Sequence, residues 1–238
     1  MTVRTLTLDG QPVSAREGET ILDLCREHGV PLPTLCHLTG LSDVGACRLC
    51  LVEVRGSPRL QPACTLRAEE GMEVTTSSDR LQRYRRQLVE LLLAERGHAC
   101  AVCVSDGRCE LQAAAAAVGV DHVRYPYRHP ATRLDASHPR FAHDPGRCIL
   151  CTRCVRVCDE VEGAHTWDVA YRGAAARVIT DLAEPWGRSE TCTACGKCVQ
   201  VCPTGALFDQ LQPVAGPPRR RDFLTFARRV REEPPWAR

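Results

Sequence analysis

Fifteen of the chain's 16 cysteines fall, in sequence order, into four short groups. Cys36, Cys47, Cys50 and Cys64 form the first. Cys100, Cys103 and Cys109, with His98 just upstream, form the second. The third and fourth are two copies of C-x2-C-x2-C-x3-C: Cys148, Cys151, Cys154, Cys158, and Cys192, Cys195, Cys198, Cys202. Soft thiolates spaced this closely converge on common metal centres. The fold is therefore expected to form around those centres and not around one large apolar core. Only 3 Trp, 4 Tyr, 4 Phe and 2 Met in 238 residues point the same way. Small domains with weak cores need staples, and metal supplies them.

A secreted disulfide framework fits poorly. The opening MTVRTLTLDG alternates like a strand and has no charged-then-apolar leader. The C-x2-C-x2-C triplets also sit too close together for separate bridges. No apolar run approaches the roughly 18 residues of a membrane helix. The expectation is a soluble, cytoplasmic chain with reduced thiols. The formal charge of +2 counts cysteines as neutral. With fifteen thiolates and four oxidised cores the charge falls to about −5. The arginine excess thus compensates clusters and is no nucleic-acid footprint. Lys197 is the only lysine.

Spacing separates zinc from iron–sulfur chemistry. Structural zinc takes separated C-x2-C pairs. A C-x2-C-x2-C-x3-C run instead puts three thiolates on one cube and sends its fourth cysteine to the other cube. One [4Fe–4S] cluster is therefore assigned to Cys148, Cys151, Cys154 and Cys202, and another to Cys158, Cys192, Cys195 and Cys198. Cys202-Pro203 matches the bacterial pattern, whereas Cys158 is followed by Asp159. The first group is a longer-looped relative of the plant-type [2Fe–2S] pattern, and Gly45 and Ala46 keep its loop slim so that backbone N–H groups can approach sulfur. The second group lacks a fourth cysteine. His98 is expected to fill that place, since neutral imidazole is a suitable iron ligand; the alternative is that it merely caps the preceding helix.

The fold expected is α+β. Residues 1–79 read as a β-grasp [2Fe–2S] ferredoxin-like domain. It has a strand around Val3–Leu8, an Asp9-Gly10 turn, a return strand over Pro12–Ala15, and a helix Ile21–His28 capped by Thr20 and ended by Gly29. Strands follow at Leu51–Val54 and Met72–Thr75. Cys25 shares a helix face with Ile21 and Leu22 and reads as packing. A helix from Ser78 or Asp79, with an apolar stripe of Leu81, Tyr84, Leu88, Leu91 and Leu92, leads into a small helical [4Fe–4S] segment over 80–118. Residues 119–140 form a linker; His122, His129, His138 and His143 lie in or just after it and read as solvated or hydrogen-bonded. A bacterial-type 2[4Fe–4S] domain spans 141–212, with a hairpin of Thr166–Tyr171 and Ala176–Thr180 around Gly173. The basic tail, 213–238, offers an amphipathic helix from Arg219 to Glu233 carrying Leu224, Phe226 and Val230. It is either a loosely docked segment or a partner-docking helix. Deleting 219–238 is expected to weaken subunit association and leave the clusters intact.

The order of these sites, carried by RGHACAVCVSDGRCELQ, DPGRCILCTRCVRVCDE and CTACGKCVQVCPTGAL, resembles the N-terminal iron–sulfur region of the complex I large subunit. It also resembles that of iron-only hydrogenases, NAD-dependent formate dehydrogenases and the diaphorase small subunit of soluble NAD-reducing [NiFe]-hydrogenases. Only 36 residues follow Cys202, and the step from His98 to Cys100 is H-x-C where complex I and iron-only enzymes show H-x3-C. Both features favour the last branch. The resemblance implies an electron-relay subunit with one [2Fe–2S] and three [4Fe–4S] clusters and no catalytic residue of its own. It implies a flavin/NAD-binding diaphorase subunit and hydrogenase small and large subunits as partners, which would hold FMN, NAD and the [NiFe] centre. No G-x-G-x-x-G or P-loop is present, so no substrate site is visible. One rival is a relay for another NAD-dependent dehydrogenase, such as a split formate dehydrogenase or a complex I-like module, told apart by the subunits that co-purify. The other is a zinc-rich nucleic-acid-binding module, which would be colourless and contain zinc without iron.

Overall fold

The computed structural model describes residues 3–128 and 130–226. It divides into two compact units: Met1–His37, Asp43–Leu91 and Ala114–Arg124 in the first, and Leu38–Ser42, Leu92–Ala113 and Tyr125–Arg238 in the second. Helices are present with one mixed sheet and two antiparallel two-stranded sheets, as α+β requires.

In the first unit β1 (Val3–Leu8) and β2 (Gln11–Arg16) form the expected hairpin. Asp9 and Gly10 turn it with φ of 49° and 80°, both left-handed, which suits the twist of a two-residue hairpin. With β3 (Leu51–Val54), β4 (Gln61–Pro62) and β5 (Glu73–Thr75), the sheet order is β2-β1-β5-β3-β4. β1 runs parallel to β5, and the remaining pairs are antiparallel. α1 (Ile21–Glu27) starts at a capping box: Thr20 Oγ1 accepts from the Asp23 N–H, and the Asp23 carboxylate accepts from the Thr20 N–H, each at 3.1 Å. Ile21, Leu22, Leu24 and Cys25 are buried with Leu6, Leu8, Val13, Val52 and Val74. Burial pushes the Cys25 thiol up to about 11, as suits an inert packing residue.

α2 (Asp79–Glu95) is present, but its buried face differs from the expected stripe. Leu81, Arg85, Val89 and Glu90 are buried, whereas Tyr84 and Leu91 are exposed. The cause is Arg85. Its guanidinium donates to Leu49 O at 3.1 Å and to Leu51 O and Thr76 O at 2.8 Å each. A buried arginine is stable when carbonyls satisfy its donors. These three lie beside β3 and β5, so the arginine, and not Tyr84, turns inward. Glu90 is paired with Arg124 at 2.8 Å.

The second unit is organised by two similar loop–helix pieces. α4 (Arg153–Val157) follows Cys148–Cys151 and continues into a π-helical turn over Cys158–Glu162. α5 (Lys197–Val201) follows Cys192–Cys195. β6 (Phe141–His143) pairs antiparallel with β9 (Leu207–Asp209), and β7 (Trp167–Ala170) pairs with β8 (Arg177–Thr180) as the expected hairpin. His138 and His143 are buried, and His138 Nδ1 accepts from the Arg140 and Phe141 N–H groups at 3.1 Å. His122 is exposed; His129 lies outside the described residues.

α3 (Glu110–Ala117) begins with a carboxylate shared by two arginines. Glu110 meets Arg153 at 2.8 Å and Arg221 at 2.6 Å, and Arg153 is only 2% exposed. Burial opposes ionisation of Glu110, but the hydrogen bond and charge of Arg153, helped by Arg221, hold its carboxyl below the usual 4.5. Glu110→Gln leaves a buried guanidinium uncompensated and should cost about 3 kcal/mol. The apparent melting temperature, followed by circular dichroism, then falls roughly 6–12 °C. Because the native pKa is lowered, this stabilisation is present above pH 4.5 and is lost as pH falls through the native value. The wild-type and variant melting curves should therefore converge in acid.

Candidate metal centre

The first cysteine group is assembled in the first unit by the loop before β3 and by Cys64 just past β4. The Cys36 and Cys47 thiols are hydrogen-bond neighbours, as are Cys50 and Cys64, and Cys36 also reaches Cys64. Hydrogen bonds from Cys47 and Cys64 hold Cys36 down to about 2, and Cys64 likewise lowers Cys50. Backbone N–H groups of Cys47 and Ala46 point at Cys36, as the slim loop at Gly45 and Ala46 was expected to permit. The Leu35 N–H donates to Cys47 Sγ at 3.4 Å.

The other three groups line three cavities in the second unit. His98, Cys100, Cys103 and Cys109 line one. Cys158, Cys192, Cys195 and Cys198 line another. Cys148, Cys151, Cys154 and Cys202 line the third. Each four-residue set lines one cavity, including the exchange of Cys158 and Cys202 between the two runs. The loops that aim them share a backbone pattern. Leu150 and Thr152 in one run, and Ala194 and Gly196 in the other, have φ of 52°, 59°, 56° and 72°. Left-handed backbone at a leucine and a β-branched threonine is strained, and such strain concentrates at functional sites. It lets three sulfurs face one centre from a single tight turn.

The half-buried His98 has Nε2 at 3.2 Å from Leu92 O. With Nε2–H donating there, Nδ1 is the unprotonated nitrogen. Burial lowers the His98 pKa, which favours the neutral ring. Asp106 lines the same cavity, a carboxylate that cysteine spacing did not single out; its Oδ1 accepts from Gln112 Nε2 at 2.8 Å.

The described part of the tail is docked. The Ala215 N–H donates to Cys103 O at 3.3 Å and the Gly216 N–H to Val104 O at 3.0 Å. Arg219 donates to Ser105 Oγ, Thr204 O and Arg108 O at 2.8, 2.7 and 3.2 Å. Leu224 is buried in the second unit's core. Residues 215–224 are thus a strap across the Cys103–Cys109 loop. Removal of 219–238 would strip the Arg219 and Arg221 hydrogen bonds from this region. Helical backbone appears at residues 223–226; the rest of the expected helix, with Val230, lies outside the described residues.

The donor chemistry fits iron–sulfur clusters. Burial raises Cys148 to about 11 and Cys151 to about 12, and lifts Cys154 and Cys198 further. A cationic core between them is what allows such sulfurs to ionise together. Sulfurs receive N–H donors throughout: Leu150 to Cys148, Ser105 to Cys103 and Thr166 to Cys158, at 3.3–3.4 Å. Among the described residues, no three His, Cys, Asp or Glu side chains are placed to hold a single ion.

Comparison with known proteins agrees. Residues 3–79 match the family model of a 2Fe-2S iron-sulfur cluster binding domain. Residues 85–124 match the NADH-ubiquinone oxidoreductase-G iron-sulfur binding region, and 138–208 the ferredoxin-like domain of NADH-quinone oxidoreductase subunit 3. The chain is 37% identical over 206 residues to the NADPH-Fe(3+) oxidoreductase subunit alpha of Geobacter sulfurreducens, covering 87% of this chain but only 24% of that protein. It is 34% identical over 229 residues to the NAD-reducing hydrogenase HoxS subunit gamma of Cupriavidus necator, covering 95% of each. A solved structure of an NAD+-reducing [NiFe]-hydrogenase in the H2-reduced state contains a chain that superposes with a TM-score of 0.83 at 36% identity, covering 93% of this chain and 94% of that one. Fold, cysteine geometry and matches together define an iron–sulfur protein built from [2Fe–2S] and [4Fe–4S] domains of the NADH-oxidoreductase kind. The chain belongs to the family of the NAD-reducing hydrogenase gamma subunit. No helix among the described residues is long and apolar enough to cross a membrane.

Proposed function

We propose that this chain is an electron relay of a cytoplasmic NAD-dependent hydrogenase, carrying one [2Fe–2S] and three [4Fe–4S] clusters. It connects a flavin/NAD-binding diaphorase subunit to a hydrogenase module of small and large subunits with a [NiFe] centre. The observation that carries this reading is the gathering of fifteen cysteines and His98 into four sets within one chain whose extent matches the Cupriavidus subunit. Each cluster, when bound, takes up and gives back single electrons. The chain's part is to hold the sulfurs at fixed positions, exclude water and direct N–H groups at the ligands. Cys36, Cys47, Cys50 and Cys64 would hold the [2Fe–2S] cluster. The sets around the three cavities are assigned to the cubes.

Affinity purification of the tagged chain from its native cells tests the assignment. Flavin, nickel and iron are expected to co-elute with hydrogen-dependent NAD reduction. The similarity to longer oxidoreductases, such as the Geobacter protein, keeps one second reading: a relay for another NAD-dependent dehydrogenase. A flavin subunit recovered without nickel would establish that reading in place of the first.

His98→Cys should retain all clusters and lower the potential of one cube, since a thiolate adds negative charge where imidazole had none. An EPR-monitored redox titration reads this. Unchanged signals and midpoints would show that His98 is no ligand.

A further inference from the structure

Two tryptophans of the second unit direct their only polar group at sulfur. Trp186 Nε1–H donates to Cys192 Sγ at 3.2 Å, and the Trp167 side chain hydrogen-bonds Cys198. Both sulfurs, with Cys158 and Cys195, line one cavity. The indoles are 1% and 3% exposed, respectively. A buried indole has a single donor and needs one acceptor. Here both acceptors are cysteines of the same set.

Packing fixes the two rings. Their centroids lie 4.8 Å apart at an interplanar angle of 70°, and Trp186 also stacks on Phe141 at 5.6 Å. The Trp186 backbone N–H is held by Asp135 Oδ2 at 2.7 Å. The chain's only lysine, Lys197, is closed into an ion pair with Glu162, so its charge is largely offset. The lining of the cavity of Cys148, Cys151, Cys154 and Cys202 contains no tryptophan.

Hydrogen bonds to ligating sulfur are a lever on cluster potential. A sulfur that gains negative charge accepts more strongly, so a fixed N–H favours the reduced state. We propose that Trp167 and Trp186 raise the reduction potential of the cube assigned to Cys158, Cys192, Cys195 and Cys198. This rests on the ligand assignment above. The electron comes from a neighbouring cluster, no bond forms or breaks, and the indole protons stay in place. The two tryptophans are positioning residues acting through the cysteines.

The test replaces each tryptophan in turn by β-(3-benzothienyl)alanine, which keeps the ring shape and exchanges N–H for sulfur; Trp→Phe variants run in parallel. The full-length, cluster-loaded chain is titrated and followed by EPR, with iron measured per chain. Each replacement should lower the midpoint of one and the same cube signal. At the wild-type midpoint the reduced-to-oxidised ratio should fall about tenfold, equivalent to 59 mV for one electron. Iron content and the other signals should stay as they were. An unmoved midpoint at full iron content in the benzothienyl variants overturns this inference alone. Cys192→Ala marks the cube: if it removes no signal, or one other than the signal that moves, the ligand assignment falls and this inference with it.

Discussion

Replacing Cys202 with Ala should remove the cube signal that Cys148→Ala removes, and spare the one that Cys192→Ala removes. Cys202 belongs to the second run by sequence, so a reading confined to contiguous motifs expects the opposite. The spatial arrangement decides it. Cys202 lines the cavity of Cys148, Cys151 and Cys154, and its charge is felt by all three. Cys158 makes the reciprocal crossing to Cys192, Cys195 and Cys198. Each alanine variant should lose about four irons per chain, one cube's worth. Iron analysis and EPR of the three variants side by side read the result. Shared loss between Cys202→Ala and Cys192→Ala would refute the exchange.

Gly205→Ala should abolish the cube of His98, Cys100, Cys103 and Cys109 while adding a single methyl group. A Cβ at Gly205 would lie 2.4 Å from Cys103 Sγ, far inside any tolerable carbon–sulfur contact. The backbone there is not left-handed, so contact and not conformational strain is at issue. Cys103 has little room to retreat. It is buried, its sulfur receives the Ser105 N–H, and its carbonyl is tied to Ala215. Overpacking in a confined site costs typically 1–3 kcal/mol, and here the atom displaced is a proposed ligand. The expected result is loss of about four irons per chain, with the [2Fe–2S] and the other two cube signals intact. Full iron with a wild-type spectrum would show that Cys103 does not turn its sulfur toward that cavity.

The cysteine groups that the fold gathers were legible because metal-ligand spacing is short-range in the chain. Even the exchange of Cys158 and Cys202 follows from the tandem runs, since a tight C-x2-C-x2-C turn cannot close around a cube with its own fourth cysteine. The β1–β2 hairpin, the Thr20 cap and the β7–β8 hairpin were equally local. What escaped was set by distant backbone. Arg85 looked like the polar side of α2 and is buried because Leu49, Leu51 and Thr76 offer carbonyls. Asp106 had no spacing to mark it. Trp167 and Trp186 carry no spacing signal, and only the fold brings them to Cys198 and Cys192. The tail offered an amphipathic helix with no evident core to join, either loosely docked or partner-docking; its described part is held by backbone and arginine hydrogen bonds, which leave no hydrophobic period, and by Leu224 in the second unit's core.

The strap over residues 215–224 also bears on how the protein is put together. It comes after Cys202 in the chain, so during synthesis all sixteen cysteines are made before the residues that lie across the Cys103–Cys109 loop. The covering of that loop is thus left to chain made after every sulfur is already in place.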